Sequence, residues 1–326
     1  MLNYRTFITS FLVLFLFCFI NGAQEVSAGY PEKEIRIITS TGPGGGVDRM
    51  ARSVQRFLPD ILGVSVLVEN RKGAGGKIGF KYVMKQPPDG YTIWAYHQPG
   101  FTNMIKKNPG LANLDDLAFI NINWIDPTLL AAHKDMGWKS LDDFIKDAKK
   151  NPGKYSFAAP GASSAGAIMP QMLFNKLGLD IRIVAYGGGG SARASLMGHH
   201  TDMTAGGAAG MLAVEKVAVP LGVFSDKRIA SWPDAVPINE SLAKYNIRMP
   251  NAGSYRFFAV HRKFKETYPD RWKILVDGFK KLILEHKGFQ EFCDKGAIGR
   301  DWFGPEKTLE IVKEVDEAFL KIKLPK

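Results

Sequence analysis

The residues with the clearest chemical potential are the glycines of a loop between a short apolar segment and a helical pattern. Residues 35–39 (IRIIT) predict a strand, the loop 42–46 (GPGGG) follows, and residues 48–58 (DRMARSVQRFL) have helical periodicity. A helix N-terminus offers free N–H groups and the positive end of the helix dipole, so such a loop can bind an anion. Asp48 has the residue type and position expected of an N-cap.

The loop matches neither of the common nucleotide-binding motifs. A mononucleotide loop ends in Gly-Lys-Ser/Thr, whereas Gly46 is followed by Val47 and Asp48. A dinucleotide fingerprint needs a third glycine where Val47 stands. The motif therefore predicts either an anion site of another kind or a tight turn, and we expect no cofactor.

Small residues stand between a strand and a helix in two further places. Residues 155–178 (YSFAAPGASSAGAIMPQMLFNKLG) and 181–198 (IRIVAYGGGGSARASLMG) each predict a strand, a loop of small residues and a helix. In a parallel α/β sheet such loops meet at the carboxyl edge of the strands, where ligands bind. Each loop alone is well explained as a turn, but the three together favour a small-anion site built from backbone amides.

The elements that must position these loops are those of an α/β protein. Strands are predicted at 64–70 and 91–97, and helices at 76–86 and 140–152, the last with Ser140 as N-cap. A chain of 326 residues is long enough for about two domains. We find no repeat and no low-complexity linker that would make the domains independent.

The first 28 residues predict an export signal. Arg5 precedes the ten-residue apolar run 11–20, and Ala23 and Ala28 are suitable cleavage positions. Ten apolar residues are too few to span a membrane, although an uncleaved anchor is the alternative. Removal of this segment leaves Cys293 as the one cysteine, so the exported chain has no internal disulfide and depends on its core for stability. We expect a periplasmic location.

The net charge of +11 does not indicate a nucleic-acid-binding protein. Export argues against that function, and the sequence has no block of lysines and arginines interleaved with aromatic residues. The charges are spread over helical stretches, which is typical of solvated helix faces. A weak attraction of anionic ligands is the other consequence.

Several polar residues could contribute to a site at the carboxyl edge. Arg193 lies at the start of a helix after a glycine run and could bind a second carboxylate with two hydrogen bonds, or it could be solvated. His97 and Gln98 follow a predicted strand and could reach the same place, or lie on the surface.

Metal and catalytic chemistry have little support in the sequence. His199, His200 and Asp202 do not form a zinc motif, because no H-E-x-x-H and no cysteine pair accompanies them, and we expect no metal. Ser163 and Ser164 lie in a loop without the G-x-S-x-G pattern of a nucleophile. We therefore do not expect an enzyme, and an exported serine hydrolase using Ser164 is the minor alternative.

The glycine loops also carry a family resemblance. Residues 68–79 (VENRKGAGGKIG) and 87–92 (PPDGYT), with the opening loop, resemble the extracytoplasmic receptors of tripartite tricarboxylate transporters, the TctC-like or Bug family. The resemblance extends from Tyr30 into the last helix. It implies a two-lobed α/β fold of the type II periplasmic-binding-protein (Venus flytrap) class with a hinge between the lobes. On that pattern, lobe one comprises 30–129 plus 224–326 and lobe two 130–223.

The resemblance also implies a ligand and a way of holding it. Members bind small carboxylates, such as di- and tricarboxylates, aromatic acids or amino acids, through main-chain N–H groups and small hydroxyls. The matching positions in this sequence are Gly44, Gly45, Gly46, Asp48, Gly161, Ser163, Ser164 and Asp202. His199, His200 and Thr201 depart from the family pattern, which leaves the identity of the ligand open.

The resemblance finally implies partners. Membrane permease subunits would receive the ligand, and the receptor itself would be a monomer. A receptor that feeds a signalling protein is the alternative within the same class.

Overall fold

The computed structural model describes residues 29–162 and 164–320. Residues 1–28, on which the export signal is predicted, and Ser163, a predicted site residue, lie outside the described part of the chain. In the described part, no helix has both the length and the apolar character needed to cross a membrane.

The centre of the fold is a sheet of nine described strands, in the order β2-β1-β3-β9-β4-β7-β5-β6, with β8 also paired to β4. The strands are β1 (Ile35–Thr39), β2 (Val66–Asn70), β3 (Thr92–Gln98), β4 (Leu117–His133), β5 (Ser156–Pro160), β6 (Arg182–Tyr186), β7 (Met203–Gly207), β8 (Ala218–Val223) and β9 (Gly253–His261).

Helices cover both sets of strands. The α-helices among the described residues are α1 (Gly46–Phe57), α2 (Pro59–Leu62), α3 (Lys77–Met84), α4 (Gly100–Lys107), α5 (Leu141–Lys150), α6 (Ala165–Leu177), α7 (Gly189–Met197), α8 (Ala208–Met211), α9 (Ile238–Leu242), α10 (Arg262–Thr267), α11 (Pro269–Glu285), α12 (Lys287–Lys295) and α13 (Gly304–Leu320).

Two groups of parallel strands define the two lobes. In the first lobe β1 pairs in parallel with β2 and β3, and in the second lobe β5 pairs in parallel with β6 and β7. The strand–loop–helix units β1–α1, β5–α6 and β6–α7 lie where the sequence predicts them. The α/β class with two lobes is therefore confirmed.

A single strand belongs to both lobes. Residues 117–127 of β4 pair with β9 of the first lobe, whereas residues 128–133 pair with β7 and β8 of the second. The change of partners falls at Pro127 and Thr128, which makes this short segment one crossing between the lobes.

The apolar core is divided in the same way. One cluster packs α1 against β1 and α11, with Met50, Ile37 and Phe279 completely or almost completely buried. A second cluster packs α5 and α6 against β5, and it includes Ile238 and Leu242 of α9. The lobe boundaries remain a prediction, but this packing favours assigning α9 to the second lobe rather than to the first.

Two N-caps were predicted from the sequence, and the structure confirms one and corrects the other. Ser140 accepts a hydrogen bond from the Asp143 N–H at 3.2 Å, which confirms it as the N-cap of α5. Helix α1 begins earlier than predicted, with Gly45 as its N-cap, so Asp48 lies in the first turn and is not the N-cap. Its carboxylate accepts a hydrogen bond from the N–H of Gly44, which lies before the helix.

Candidate functional site

A cavity of about 290 Å³ opens where the glycine-rich loops of the two lobes face each other. The first lobe contributes the loop before α1 and the loop before α3, and the second lobe contributes the loops before α6 and α7. Its lining includes Ser40, Gly45, Gly46, Lys72, Gly75, Gly76, Tyr96, His97, Gly161, Ser164, Tyr186, Gly188, Arg193, Gly207, Ser254 and Arg256. Backbone therefore forms much of the wall.

The loop before α1 is fixed from behind by Asp48. The Asp48 carboxylate accepts hydrogen bonds from the Gly44 N–H at 2.9 Å and from the Asn70 side-chain amide at 2.8 Å, and it pairs with Arg52 at 3.1 Å. Gly44 has φ of +72°, a left-handed conformation that favours glycine. Asp48 is buried and does not line the cavity, so it positions the loop instead of contacting a ligand.

The loop before α6 is fixed by Ser164. The Ser164 hydroxyl donates to the Pro160 carbonyl at 2.5 Å and accepts from the Ala167 N–H at 3.1 Å, which makes it the N-cap of α6. Gly161 has φ of +72° and allows the chain to turn from β5 into this loop. Ser164 and Gly161 both line the cavity, but the hydroxyl is engaged with backbone groups.

Arg193 reaches across the cavity from one lobe to the other. From α7 in the second lobe, its Nη2 donates to the Gly44 carbonyl of the first lobe at 3.2 Å. Burial lowers the pKa of its guanidinium from the usual value, and the charges of Arg49 and Arg256 lower it further. Burial is the largest cause, and a bound anion would oppose both it and the repulsion from the other two arginines.

A buried ion pair lies beneath two of the glycine segments. Arg256 Nη2 lies 3.0 Å from Asp126 Oδ2, and the Arg256 guanidinium also stacks on the Trp124 ring at 3.9 Å. A Cβ atom at Gly46 or at Gly207 would overlap this ion pair. Glycine is therefore required at both positions for packing, independently of any ligand.

His97 is a neutral group at the cavity wall. Its side chain is buried, and burial, followed by the charge of Arg256, lowers its pKa to about 4. Its Nδ1 atom and the Arg256 Nη1 atom are buried without a hydrogen-bond partner among the described residues. At neutral pH His97 contributes a polar but uncharged surface.

The structure brings together most of the residues expected at the site. Gly45, Gly46, His97, Gly161, Ser164 and Arg193 line the cavity, whereas Gly44 and Asp48 lie behind it and support the loop. Whether any of them contacts a ligand stays a prediction.

Two expected site residues lie elsewhere. The Asp202 carboxylate accepts hydrogen bonds from the Ser156 N–H and hydroxyl, both at 2.7 Å, at the start of β5 and so at the end of the strand opposite the cavity. The Gln98 side chain accepts from the Thr102 N–H and hydroxyl at 3.0 and 2.9 Å, which holds the first turn of α4. Neither residue lines the cavity. Each side-chain oxygen instead binds the N–H and the hydroxyl of one residue near the start of a strand or helix.

Other lining residues were not selected from the sequence. The loop 72–76 (KGAGG) belongs to the segment that carries the family resemblance, and Arg256 lies on β9. Lys72 could have been selected from the sequence, because a cationic residue beside several glycines is typical of an anion site. Asp126 lies in the interior of a long apolar segment, and only the fold reveals its pairing with Arg256.

Comparison with known proteins assigns this chain to a family. The sequence profile of the tripartite tricarboxylate transporter family receptors matches residues 50–260. The chain belongs to this family of periplasmic solute-binding receptors, whose fold is that of non-enzymatic binding proteins.

Individual curated proteins align with only part of this chain. The chain is 33% identical to the protein BugT of Bordetella pertussis over 180 residues, which is 54% of this chain and 55% of BugT. It is 31% identical to a UPF0065 protein of Agrobacterium vitis over 199 residues, 60% of this chain and 56% of the relative. The matched region thus spans little more than half the length of these two curated relatives.

Solved structures agree over almost the whole fold. The periplasmic binding protein BugD superposes with a TM-score of 0.76 and 26% identity, over 90% of this chain and 98% of BugD. A Rhodopseudomonas palustris protein with adipate superposes with a TM-score of 0.77 and 20% identity, over 90% of this chain and 97% of that one. MatC from the same organism, with bound malate, superposes with a TM-score of 0.76 and 20% identity, over 89% of this chain and 98% of MatC. The last two similarities establish the fold alone.

Proposed function

We propose that this protein is a receptor that captures a small organic carboxylate between its two lobes and delivers it to the membrane subunits of a tripartite transporter. The observation that carries the proposal is the cationic side chain of Arg193 in a cavity otherwise walled largely by glycine loops. The proposal extends the family assignment to this chain's own cavity, ligand and partners.

The glycine loops supply hydrogen-bond donors for a carboxylate. Helices α1 and α6 begin at the cavity, so their first N–H groups and dipole ends favour negative charge there. Small residues let an anion approach these amides closely. A carboxylate removed from water needs such replacements for its hydration, because burying a bare charge is costly.

Arg193 would provide both affinity and a link to lobe closure. A guanidinium can bind a carboxylate through two charge-assisted hydrogen bonds. Because Arg193 also bonds to Gly44 of the opposite lobe, an anion beside it would be held in the arrangement where the lobes are together. A ligand promotes closure only through its higher affinity for the closed state, and this geometry provides such a difference.

The ligands of structural neighbours fit this class of chemistry. Adipate and malate, bound in the two proteins of R. palustris, are both small dicarboxylates. The family description supports a permease as the recipient, and a signalling partner would use the same capture step. The proposal includes export to the periplasm with cleavage of residues 1–28.

Catalysis is not part of the proposal. The Ser164 hydroxyl is engaged with the Pro160 carbonyl and the Ala167 N–H, so its observed role is that of a helix cap. A serine nucleophile would instead be bonded to a base. Turnover of a carboxylic ester by the purified protein would contradict this interpretation.

The first experiment is a calorimetric and thermal-shift screen against dicarboxylates, tricarboxylates, aromatic acids and amino acids. We expect one class to bind, and Arg193→Ala to weaken that binding at least about tenfold, since hydrogen bonds to charged groups contribute about 1.5–3 kcal/mol. Arg182→Ala is the matched control, because Arg182 is an exposed arginine of the same lobe that does not line the cavity.

Two outcomes would contradict the proposal. If none of the acids in the screen raises the melting temperature, the ligand is not a small carboxylate. Equal affinities for the wild type and Arg193→Ala, with a ligand found, would remove Arg193 from the site.

A further inference from the structure

A second group of polar side chains lies in the second lobe, outside the cavity. His133 ends β4, Asp135 belongs to the short 3₁₀ turn that follows, and His199 follows α7. None of the three lines the cavity, and the carboxyl ends of β5 and β7 that face the cavity are at the other edge of the sheet. The family function does not use these residues.

The three side chains converge on one point. Asp135 Oδ2 lies 3.5 Å from His133 Nδ1 and 3.8 Å from His199 Nδ1, and one ligand atom from each residue lies within 4.8 Å of the other two. The two imidazole rings stack, with centroids 4.0 Å apart and planes 14° apart. His133 is 7% exposed, whereas His199 and Asp135 are 37% and 61% exposed, so the group is open to solvent on one side.

Both histidines offer the chemistry that a metal requires. His133 Nδ1 accepts a weak hydrogen bond from the Asp135 N–H at 3.3 Å, which identifies Nδ1 as the unprotonated nitrogen of the ring. A metal ion would replace this N–H as the partner of the same lone pair. The other nitrogen of His199 lies 3.7 Å from Asp202 Oδ1, which is too far for a hydrogen bond but places a carboxylate on that side of the ring.

We propose that His133, Asp135 and His199 bind one divalent transition-metal ion of the zinc class. Two imidazoles and one carboxylate are a ligand set that zinc accepts, with a fourth position left for water. The sequence led to the opposite expectation, because His133 is distant from His199 along the chain and the visible group, His199, His200 and Asp202, has no zinc spacing.

The ion would require the His199 ring to turn out of its stack with His133, because the lone pair of an imidazole nitrogen lies in the plane of its ring. Ligands of tetrahedral zinc at 2.0–2.1 Å lie about 3.3 Å from one another. The two nitrogen–oxygen distances must therefore shorten by about 0.5 Å or less. The two nitrogens lie within 4.8 Å of each other, and rotation of the half-exposed His199 ring would bring them together.

The bound ion would connect three segments of the second lobe. It would hold the end of β4, the turn after it and the connection between α7 and β7 at one point. Because a ligand of the native state stabilises that state, the consequence would be a higher melting temperature of the protein. This inference is independent of the carboxylate receptor function.

The test is a titration of the untagged, chelator-treated full chain with Zn²⁺, followed by calorimetry and thermal unfolding. His199→Gln and Asp135→Asn remove ligands at solvent-exposed positions, so the fold should survive. His200→Gln is the matched control, because His200 is the exposed neighbour of His199 and lies outside the group. Visible absorption of the Co²⁺-loaded protein reports whether the coordination is tetrahedral.

We expect the wild type and His200→Gln to bind one Zn²⁺ per chain and to melt at a higher temperature with the ion. His199→Gln and Asp135→Asn should bind at least tenfold more weakly and show little thermal shift, while melting like the wild type in the absence of metal. The proposal is overturned if the wild type shows no saturable binding, or if His199→Gln binds Zn²⁺ as tightly as His200→Gln does.

Discussion

Arg256 and Asp126 form a buried ion pair at the junction of the two lobes, with Nη2 and Oδ2 3.0 Å apart. Arg256 lies on β9 of the first lobe. Asp126 precedes the crossing segment of β4, and its Oδ1 accepts a hydrogen bond from the N–H of Ala209 in α8 of the second lobe at 3.1 Å. One carboxylate therefore binds a guanidinium of one lobe and a helix of the other.

Removal of Asp126 should be severely destabilising. Asp126→Ala leaves the Arg256 charge buried without its partner, and loss of one member of such a pair costs about 3–5 kcal/mol in the free energy of unfolding. The double variant Asp126→Leu with Arg256→Met should be less destabilised than the single variant, since no charge remains buried. Chemical denaturation of both variants measures this difference.

The matched control is an exposed pair of the same charge type. Asp277→Ala removes the partner of Lys273 on α11, where both side chains are more than half exposed. Exposed pairs contribute about 0–1 kcal/mol, so this variant should stay close to the wild type. Similar losses for Asp126→Ala and Asp277→Ala would mean that burial does not control the effect.

Two adjacent glycines should respond differently to substitution. A Cβ atom at Gly45 has only the Gly42 carbonyl oxygen at 3.4 Å, and the backbone there has φ −74° and ψ 167°, which any residue adopts. Gly45→Val should therefore retain the fold and lose carboxylate affinity, because the new side chain enters the cavity wall. Gly46→Ala should lower the free energy of unfolding by about 1–3 kcal/mol, because its methyl group displaces Arg256.

Denaturation and calorimetry of the two variants separate these effects. Each variant is the control for the other, since both add a side chain to the same loop. Unchanged ligand affinity in Gly45→Val would show that this glycine serves the turn alone. Unchanged stability in Gly46→Ala would show that Arg256 can move away at little cost.

His97 should make the stability of the protein depend on pH. Its pKa is about 4 in the folded protein and 6.5 in its ordinary state, so the unfolded chain takes up the proton first as the pH falls. The contribution is fully present above pH 6.5 and is lost as the pH decreases through 4, by about 3 kcal/mol. His97→Asn cannot titrate, so its loss of stability between pH 7 and pH 4 should be smaller by that amount.

Denaturation of wild type and His97→Asn at several pH values measures the difference. His200→Asn is a suitable control, because the side chain of His200 is exposed and the variant should follow the wild-type curve. Parallel curves for wild type and His97→Asn would mean that His97 titrates alike in the folded and unfolded states.

The sequence predicted the local units of the fold well. The apolar segment 35–39 coincides with β1, and the β5–α6 and β6–α7 units occur as predicted, because each is determined by residues close together in the chain. The start of α1 was misplaced by the choice of Asp48 as cap. An acidic residue in the first turn can accept a hydrogen bond from an upstream N–H, whereas an N-cap side chain accepts from a downstream N–H, and the sequence does not distinguish the two.

The site was predicted only in part, because part of it depends on contacts between distant segments. Gly45 lies at the N-terminus of α1 and Arg193 near the start of α7, and the position of both helix ends at the carboxyl edge follows from the strand–helix pattern. The pairing of Asp126 with Arg256 joins residues 130 positions apart and has no local signature. Asp202 lies outside the cavity lining because it immediately precedes β7, and the start of a parallel strand lies at the edge of the sheet opposite the cavity.

The strand β4 limits how proteins of this architecture can be recombined. Since its first part completes the sheet of one lobe and its second part completes the sheet of the other, neither lobe can be excised as an autonomous module. A chimera that joins the lobes of two such receptors must divide this strand and match two sets of neighbours at once. Exchange of the short glycine-rich loops leaves every strand pairing intact, and it is therefore the simpler route by which new specificities arise.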